Sequence, residues 1–300
     1  MRKIYLLLLP LILFSTNWNN DPKHEDIGGD LSSGVSDLIL TPKQSYNTPK
    51  YKLKTLSWNI ENLGSSKTDA TISYIAGFIK DYDVVALQEV VAGDGGAQAV
   101  AKLADELNRK GSKWDYSISN PTSSSAYKTE RYAFLWKTSK VKLVGEAWLE
   151  KKYHQQIDRE PFYATFEYQG KQFTLANFHA ITKSRQPETE IKYFKFLPGE
   201  YPGLNLIFIG DFNCPQSHTV FNPLRRMGYL NAFEKQLTSL KKAYKDGNCL
   251  ASEFDNIWYQ PSRVSLSNNK VIHFYKSFPN LKQAREVSDH IPITTEISLN

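Results

Sequence analysis

Short apolar runs recur along this chain, and several of them end on polar residues. The run 206–209 is Leu-Ile-Phe-Ile, and it leads directly into Gly210, Asp211, Phe212 and Asn213. Four apolar residues in succession predict a buried strand. Because side chains alternate between the faces of a strand, we expect Asp211 and Asn213 to point the same way. Burial of these two groups favours a binding role, although an ordinary turn with Asx hydrogen bonds also accounts for such a segment.

Apolar spacing along the rest of the chain predicts both helices and strands. Apolar residues at 72, 75, 76 and 79 follow the pattern of a helix with Thr68 or Asp69 as its N-cap, and those at 100, 103, 104 and 107 repeat the spacing. A further helical segment is expected at 191–196. Strands are predicted at 53–58, 84–87, 132–136, 141–148, 162–168, 173–178, 206–209, 254–259 and 291–297. This order indicates an α/β (α+β) fold, with mixed sheets and helices on their outer faces.

Composition is consistent with one large domain that has an anionic partner. The chain has 300 residues, 41% of them hydrophobic, which suits one globular domain at 51–300 plus flanking segments. Its formal net charge is +6 and its isoelectric point is about 9.0. A basic excess of this size favours nucleic acid or lipid headgroups as partners, but it is also common on ordinary soluble proteins.

The first 50 residues have the pattern of an export segment and a linker. Arg2 and Lys3 precede an apolar run from Ile4 to Phe14, which predicts a signal peptide at 1–15 and a secreted or periplasmic protein. The run is too short for a comfortable membrane span, so we expect no stable span in the mature chain. An uncleaved N-terminal tether is the alternative. Residues 16–50 are polar and predict a flexible lead-in.

Polar residues of one chemical kind follow most of the predicted core strands. Each has an ordinary structural explanation when it is taken alone, such as a turn or a hydrogen-bonded buried histidine. Together they predict a site where loops leave a rigid sheet. The residues at these strand ends are Asn59, Glu89, His179, Asp211, Asn213, Asp255, Asp289 and His290.

The carboxylates in this set predict a divalent-metal site. Glu89, Asp211 and Asp289 supply hard oxygen ligands, which suit Mg²⁺ or Mn²⁺, with Ca²⁺ as a further candidate ion. We interpret Glu89 and Asp289 as the metal ligands. A carboxylate cluster repels a phosphate substrate unless it holds a cation, so a metal also explains how an acidic site attracts an anion.

The remaining residues of the set predict proton transfer and phosphate binding. His179 and His290 are able to shuttle protons near neutral pH, and Glu130 and Asp255 are able to orient these rings. A second group of side chains donates to phosphate oxygens. Its members are Asn59, Asn213 and Arg159. A metal, a proton-transfer pair and phosphate donors together indicate hydrolysis of a phosphate ester by activated water.

These residues, in this order, resemble the endonuclease/exonuclease/phosphatase superfamily, and most closely its deoxyribonuclease I branch. The resemblance extends over roughly residues 52–299. The motifs shared with the superfamily are SWNIEN (57–62), LQEV (87–90), LANFH (175–179), GDFN (210–213) and SDH (288–290). The segments similar to the branch are YKTERYAFL (127–135), REP (159–161) and FDNI (254–257).

The resemblance implies a four-layer sandwich of two packed β-sheets flanked by helices. It implies divalent-metal cleavage of phosphodiesters that leaves a 5′-phosphate, with Asp211 positioning or deprotonating the water. Glu130 would pair with His179 and Asp255 with His290. One histidine would assist proton transfer and the other would bind the scissile phosphate, and the sequence does not assign these two roles.

Three further expectations come from the same resemblance. Tyr127 would contact the DNA groove and Arg159 a phosphate. Cys214 and Cys249 lie near the region of the branch's disulfide, and an even cysteine count in an exported chain also suggests one bridge. Two free buried cysteines are the alternative.

The function that these observations favour is an exported, largely sequence-nonspecific DNA endonuclease that acts as a monomer. Backbone contacts would then supply most of the affinity. The candidate phosphate contacts are Lys183, Arg185, Lys192, Lys195, Arg225 and Arg226. The alternatives are a phospholipid or phosphoinositide phosphodiesterase of the same superfamily, a non-catalytic binding module, and a nuclease toxin subunit.

Overall fold

The structure is a computed structural model, and it describes residues 51–124 and 129–300. The predicted signal peptide at 1–15, the predicted lead-in at 16–50 and the candidate residue Tyr127 lie outside the described residues. Within those residues, no helix is both long enough and apolar enough to cross a membrane.

Strands contain more of the described residues than helices do. The strands are β1 (Leu53–Leu63), β2 (Val84–Val91), β3 (Trp114–Ile118), β4 (Glu130–Lys137), β5 (Lys142–Leu143), β6 (Trp148–Leu149), β7 (Phe162–Tyr168), β8 (Lys171–His179), β9 (Leu206–Asp211), β10 (Leu230–Asn231), β11 (Leu240–Lys245), β12 (Asn248–Leu250), β13 (Asp255–Tyr259), β14 (Val264–Val271) and β15 (Ile293–Leu299).

The helices are mostly short, and two longer ones follow β1 and β2. They are α1 (Asp69–Ile79), α2 (Asp94–Asn108), α3 (Glu188–Ile191), α4 (Leu197–Glu200), α5 (Asn222–Arg226) and α6 (Leu281–Val287). As the sequence predicts, Thr68 caps α1 by accepting a hydrogen bond from the backbone N–H of Thr71. Single turns of 3₁₀ helix lie at Lys183–Arg185 and Lys192–Lys195.

Two mixed sheets form the centre of the fold. The first has the order β14-β15-β1-β2-β4-β3, and β1 and β2 are parallel because α1 crosses between them. The second has the order β10-β13-β9-β8-β7-β5, with β6 also paired to β7, and β8 and β9 are parallel. Among the strands of the described residues, β11 and β12 pair with each other and with no other strand.

Three apolar clusters separate the layers. One lies between the two sheets and draws side chains from both, for example Phe134 of the first sheet and Leu175 of the second. Another packs α1, α2 and α6 against the outer face of the first sheet. The third packs α3, α4 and α5 against the outer face of the second sheet. The predicted four-layer sandwich of two mixed sheets flanked by helices is therefore confirmed.

The continuous strand predicted at 141–148 is wrong. Only Lys142–Leu143 and Trp148–Leu149 are strands, each of two residues. Gly145 lies between them with a φ of 70°, a left-handed conformation that interrupts an extended chain.

The predicted disulfide between Cys214 and Cys249 is also wrong, because both thiols are free and buried. Cys214 belongs to the cluster outside the second sheet, whereas Cys249 belongs to the cluster outside the first. Cysteines that pack in clusters on different sheets do not share the short distance that a disulfide requires. The alternative of two free buried cysteines describes this chain.

Candidate active site

Asp211 is the centre of the candidate site. Its side chain is 0% exposed, and its Oδ2 atom accepts a hydrogen bond from Asn59 Nδ2 at 3.1 Å. The same oxygen lies 3.3 Å from Nε2 of His179 and 3.5 Å from Nε2 of His290. One carboxylate oxygen therefore contacts both imidazoles. A buried carboxylate is stabilised only by partners of this kind.

The second sheet itself brings three of these side chains side by side. Asp211, at the end of β9, is in register with His179 on β8 and with Asp255 on β13. Along β9, Ile207 and Ile209 face the space between the sheets, so alternation directs Asp211 to that face as well. The site thus lies at one end of the interface between the two sheets.

His179 is held from the opposite sheet. Its Nδ1 atom lies 3.0 Å from each carboxylate oxygen of Glu130, which begins β4. Arg159 donates from Nη1 to the same carboxylate at 3.0 Å. The Tyr132 hydroxyl accepts a hydrogen bond from the backbone N–H of His179 and donates one to the backbone carbonyl of Arg159, each at 3.1 Å. These contacts fix the ring so that Nε2 points toward Asp211.

His290 is held by a similar partner on the other side of Asp211. Its Nδ1 atom lies 2.8 Å from Oδ2 of Asp255. Its backbone is also fixed, because the N–H donates to Ser288 Oγ at 2.9 Å and the carbonyl accepts from Trp58 Nε1 at 2.8 Å. The two pairings implied by the family resemblance, Glu130 with His179 and Asp255 with His290, are both present in the structure.

The two histidines have opposite electrostatic environments. Burial and the guanidinium of Arg159 lower the pKa of His179 to about 4, so its ring is neutral at neutral pH. Burial also acts to lower the pKa of His290, but the carboxylates of Asp211 and Asp255 outweigh it and raise that pKa well above its usual value. The site therefore holds a neutral imidazole and an imidazolium on either side of one carboxylate.

Glu89 lies in an irregular part of β2. Its φ is 58°, and the register of β2 against both neighbouring strands shifts around it. Strict alternation would place it on the same face as Leu87, toward the outer helices. The irregularity instead turns it toward the site, where Oε1 accepts from Asn59 Nδ2 at 3.0 Å and Oε2 accepts from the backbone N–H of Asn62 at 3.2 Å.

The donor atoms around Asn59 suit a divalent cation. Its amide nitrogen bridges Glu89 and Asp211, while its buried Oδ1 has no hydrogen-bond partner among the described residues. Asp289 is partly exposed and lies 3.3 Å from Arg285 Nη2. Carboxylate and amide oxygens are the ligands that Mg²⁺, Mn²⁺ and Ca²⁺ take, so this donor set fits such an ion.

A second group of potential ligands lies deeper. Side-chain donor atoms of Asp211, Asp255 and His290 lie within 4.8 Å of one another. In that group the 2.8 Å contact between His290 Nδ1 and Asp255 already forms a hydrogen bond. The carboxylates of Glu89 and Asp289 do not bond to an imidazole Nδ1, and both are partly exposed. An ion therefore reaches them more easily than it reaches Asp211, Asp255 and His290.

An open cleft with a volume of 490 Å³ gives access to these residues. Cavities of 520 and 540 Å³ lie elsewhere, and neither is lined by Asp211 or by the two histidines at its sides. The predicted site residues that line the cleft are Glu89, Arg159, His179, Asp211, Asn213, Asp289 and His290.

The side chains predicted to donate hydrogen bonds to phosphate differ in how many of their donor groups already have partners within the protein. Asn213 donates from Nδ2 to the Ala180 carbonyl at 3.0 Å, and its backbone N–H donates to Asp211 Oδ1 at 2.8 Å. Arg159 bonds through Nη1 and Nη2 to Glu130 and to the Ala180 carbonyl, but its buried Nε has no partner within the described ranges. Of the predicted surface cations, Lys183 lines the cleft.

Arg225 is the predicted surface cation with the most internal contacts. Its guanidinium donates to Asn222 Oδ1 at 3.1 Å and to the backbone carbonyl of Gln216. It also lies over the Trp258 ring, 5.1 Å from the centroid. These contacts give Arg225 a structural role and reduce its availability to a phosphate.

Two carboxylates near the site were not among the predicted residues. Glu61 lines the cleft two positions after Asn59, a spacing that strand alternation would have indicated. Burial and the neighbouring charges of Asp289 and Glu89 raise its pKa. Glu190 is buried and accepts hydrogen bonds from the backbone N–H groups of Ile181 and Asp158, at 2.6 and 2.9 Å. No motif in the sequence indicates that Glu190 would make these backbone contacts.

The sequence is similar to one protein family and to several known enzymes. A model of the Endonuclease/Exonuclease/phosphatase family matches residues 56–290. A "Deoxyribonuclease" from Thioalkalivibrio sp. (strain K90mix) is 27% identical over 262 residues, which cover 80% of this chain and 70% of the relative. "Deoxyribonuclease-1" of Bos taurus is 31% identical over 178 residues, which cover 55% of this chain and 62% of the relative, less than two thirds of its length.

Several solved structures share this fold. A Bacteroides thetaiotaomicron endonuclease/exonuclease/phosphatase family protein has a TM-score of 0.61 and 19% identity, covering 82% of this chain and 97% of its own. D. rerio TDP2 complexed with single strand DNA product also has a TM-score of 0.61 and 19% identity, covering 82% of this chain and 99% of its own. A mannosyl-6-phosphatase from Bacteroides thetaiotaomicron VPI-5482 has a TM-score of 0.60 and 18% identity, covering 82% and 99%. These likenesses show the fold alone.

Proposed function

The chain belongs to the Endonuclease/Exonuclease/phosphatase family, and we propose that it is a divalent-metal-dependent DNA endonuclease that cuts largely without regard to sequence and leaves 5′-phosphates. The observation that supports this most is the placement of one oxygen of Asp211 between the Nε2 atoms of His179 and His290. The relatives named "Deoxyribonuclease" and "Deoxyribonuclease-1" favour DNA as the substrate.

Asp211 orients the attacking water and accepts its proton. Its Oδ2 atom faces both imidazoles, and its Oδ1 atom is held by the backbone N–H of Asn213, so the carboxylate has one defined orientation. The water oxygen bonds to phosphorus, the bond from phosphorus to the 3′ oxygen breaks, the departing 3′ oxygen takes a proton from solvent water, and the phosphate stays on the 5′ side. A positioned base of this kind accelerates hydrolysis by about 10²–10⁴-fold.

The two histidines have different roles, proton transfer and phosphate binding, which follow from their charges. His179 is neutral at neutral pH, so it is able to take up a proton and assists the transfer from water. His290 carries a positive charge in its place between Asp211 and Asp255, and it binds the scissile phosphate by a charge-assisted hydrogen bond. When the environments of two groups shift their pKa values in opposite directions, the group with the lower pKa is able to accept a proton and the group with the higher pKa is able to donate a hydrogen bond.

We assign the metal ligands to Glu89 and Asp289, with Asn59 Oδ1 as a further oxygen donor. An Mg²⁺ or Mn²⁺ ion held by these residues would supply Lewis-acid stabilisation of the negative charge that develops on the phosphate. Asn213 and the free Nε of Arg159 add phosphate contacts, and Lys183 adds a positive charge at the rim of the cleft. Ca²⁺ remains a candidate for a supporting ion.

We further propose that the catalytic domain spans residues 51–300 and that the protein is exported and acts as a monomer. The positive residues and the apolar run at the N-terminus support export. Analytical ultracentrifugation of the purified protein tests whether it is a monomer, and mass analysis of the N-terminus after secretion tests export.

A plasmid-nicking assay tests the central proposal. We expect wild-type protein to convert supercoiled DNA to the nicked form with Mg²⁺ or Mn²⁺ and to stop when a chelator is added. Asp211→Ala and His179→Ala should lower the rate by several orders of magnitude. Wild-type protein that does not nick DNA but hydrolyses sphingomyelin or a phosphoinositide would contradict a deoxyribonuclease and indicate a lipid phosphodiesterase.

A further inference from the structure

A basic hairpin stands beside the cleft, outside both main sheets. β11 and β12 pair only with each other in the described part of the chain. Residues 242–248, which include the turn, are all exposed. Tyr244 is 57% exposed, the highest value among the large apolar side chains of the described residues. An aromatic ring held in water in this way is available to a partner.

The base of this hairpin is part of the wall of the cleft. Leu240 and Ala251, at its two ends, both line the cleft that contains Asp211. The backbone N–H of Leu240 donates to the Asp289 carbonyl at 2.7 Å, and Arg285 Nη1 donates to the Leu240 carbonyl at 2.9 Å. The base is therefore fixed directly to the segment that carries Asp289, and the exposed part extends away from the cleft.

The hairpin is strongly cationic, whereas the cleft beside it has charges of both signs. Lys241, Lys242 and Lys245 lie on β11, and Asp246 in the turn is the one acidic residue between 240 and 250. The cleft is lined by four carboxylates together with the basic side chains of Arg159, Lys183 and His290. A cationic arm beside such a cleft fits a polyanion that crosses the cleft and continues past it.

Tyr244 has one neighbour within the hairpin and is otherwise exposed. Its hydroxyl interacts with the thiol of Cys249 on β12, and Tyr275 also interacts with that thiol. With 57% of Tyr244 exposed, the ring is accessible to a base or a sugar of a bound strand.

We propose that the β11–β12 hairpin is a DNA-binding arm. Lys241, Lys242 and Lys245 contact phosphates of the strand beyond the scissile phosphate, and the ring of Tyr244 packs against a base or sugar of that strand. The inference rests on the proposed function and adds to it the stretch of substrate that the enzyme grips. β11 has six residues and is about 20 Å long, so the arm reaches about six base pairs along a duplex.

Neutralising the arm tests the proposal. The variant K241Q/K242Q/K245Q removes three charges and keeps most of each side-chain stem. Its matched control is K80Q/K113Q/K171Q, which removes three charges at positions near the starts of β2, β3 and β8. Lys171 begins β8, which ends at His179, and Lys80 precedes β2, which ends beyond Glu89, so the control lysines lie at the opposite end of the sheets.

Binding is measured by fluorescence anisotropy on a duplex of about 30 base pairs, roughly three helical turns, with Asp211→Ala present in every protein to prevent cleavage. We expect the arm variant to bind about 10-fold or more weakly at about 0.1 M salt, and the slope of log K against log salt to fall by about 2–3. The control should bind within about twofold of its parent. Shortening the duplex to about six base pairs should shrink the difference.

Tyr244 is tested separately with two variants. Y244A should weaken binding about fivefold or more, whereas Y244F keeps the ring and should bind within about twofold of its parent. Equal losses in both would show that only the hydroxyl contact matters and would overturn the role of the ring. Thermal melting within a few degrees of the parent shows that each variant is folded.

Failure of the proposed function and failure of the arm proposal would give different results. Wild-type protein that does not nick plasmid DNA would contradict the proposed function. Wild-type protein that nicks DNA, together with arm and control variants that bind DNA equally well and with equal salt slopes, would overturn the arm alone.

Discussion

Nδ1 of His179 lies 3.0 Å from both carboxylate oxygens of Glu130, although the two residues belong to different sheets. His179 ends β8 of the second sheet, and Glu130 begins β4 of the first. The orientation of the imidazole therefore depends on how the two sheets pack, through the apolar cluster between them. The geometry of the candidate site and the packing of the two sheets are coupled, since a shift of one sheet moves one partner away from the other.

Replacing the carboxyl groups behind the imidazoles should slow the chemical step. We expect Glu130→Gln and Asp255→Asn each to lower kcat about 10²–10³-fold, because an amide neither stabilises an imidazolium nor holds the ring in one tautomer. KM for DNA should change little. The measurement is steady-state cleavage of a defined duplex.

A double-mutant cycle shows whether Glu130 acts through His179. Glu130→Gln combined with His179→Ala should cost little more than His179→Ala alone, since the two residues act as a unit. Losses that add on a logarithmic scale would show that Glu130 acts independently. The exposed Glu146→Gln is a control for the loss of one carboxylate far from the imidazoles.

Asn59 should control the affinity for the metal. Its buried Oδ1 has no partner among the residues that the structure describes, and its Nδ2 bridges Glu89 and Asp211. We expect Asn59→Ala to raise the Mg²⁺ concentration for half-maximal activity about 10-fold or more. A Mg²⁺ titration of the nicking rate measures this, with the exposed Asn120→Ala as a control. An unchanged half-maximal concentration would show that Asn59 does not act on the ion.

Gly210 should tolerate no side chain. Its φ is 138°, and a Cβ atom there would lie 2.0 Å from the Phe178 carbonyl oxygen on the neighbouring strand. We expect Gly210→Ala to lower the free energy of unfolding by more than about 2 kcal/mol, because the clash is with backbone and the conformation is strained. Gly77→Ala is the matched control. It lies within α1 with nothing within 4 Å of the added methyl group, and it should stabilise the protein by about 0.5–1 kcal/mol. Urea unfolding measures both.

Glu190 should make the stability depend on pH. Burial raises the pKa of Glu190 to about 7, from 4.5 for an ordinary glutamate. Between these two values the folded state keeps a proton that the unfolded state has released, so this residue's contribution to stability is complete below pH 4.5 and is lost as the pH rises through 7.

Replacement of Glu190 isolates this effect. Glu190→Gln cannot titrate, so the stability of wild type relative to the variant should fall by about 3 kcal/mol at most between pH 4.5 and pH 8. Urea unfolding of both proteins at several pH values measures the difference. A difference that rises with pH, or stays constant, would contradict a protonated Glu190 in the folded state.

The cysteines should behave as two unreactive thiols. Burial raises the pKa of Cys214 to about 12, which leaves almost no thiolate at neutral pH. We expect slow alkylation of the folded protein and two alkylated cysteines after denaturation without a reductant. Mass spectrometry measures both. A product two mass units lighter that resists alkylation would show a disulfide and contradict the packing of the two thiols in separate clusters.

Much of the site follows from local sequence. The apolar run 206–209 and the residues after it place Asp211 and Asn213 at the end of a core strand, because four apolar residues in succession are stable only in a core. Strand periodicity also indicates the end of β8 at His179 and the start of β13 near Asp255, whereas β1 continues four residues beyond Asn59. The layers were predictable for the same reason, since each helix and strand shows which of its faces is apolar.

Tertiary structure decided the rest, because it depends on contacts between residues far apart in the chain. The irregularity that turns Glu89 toward Asn59 leaves no periodic signal, and the buried carboxylate of Glu190 has meaning only beside the backbone of Asp158 and Ile181. The sequence alone gave no reason to expect different charges on His179 and His290. Only the packing made one neutral and the other charged, because burial and neighbouring charges set the pKa of each ring.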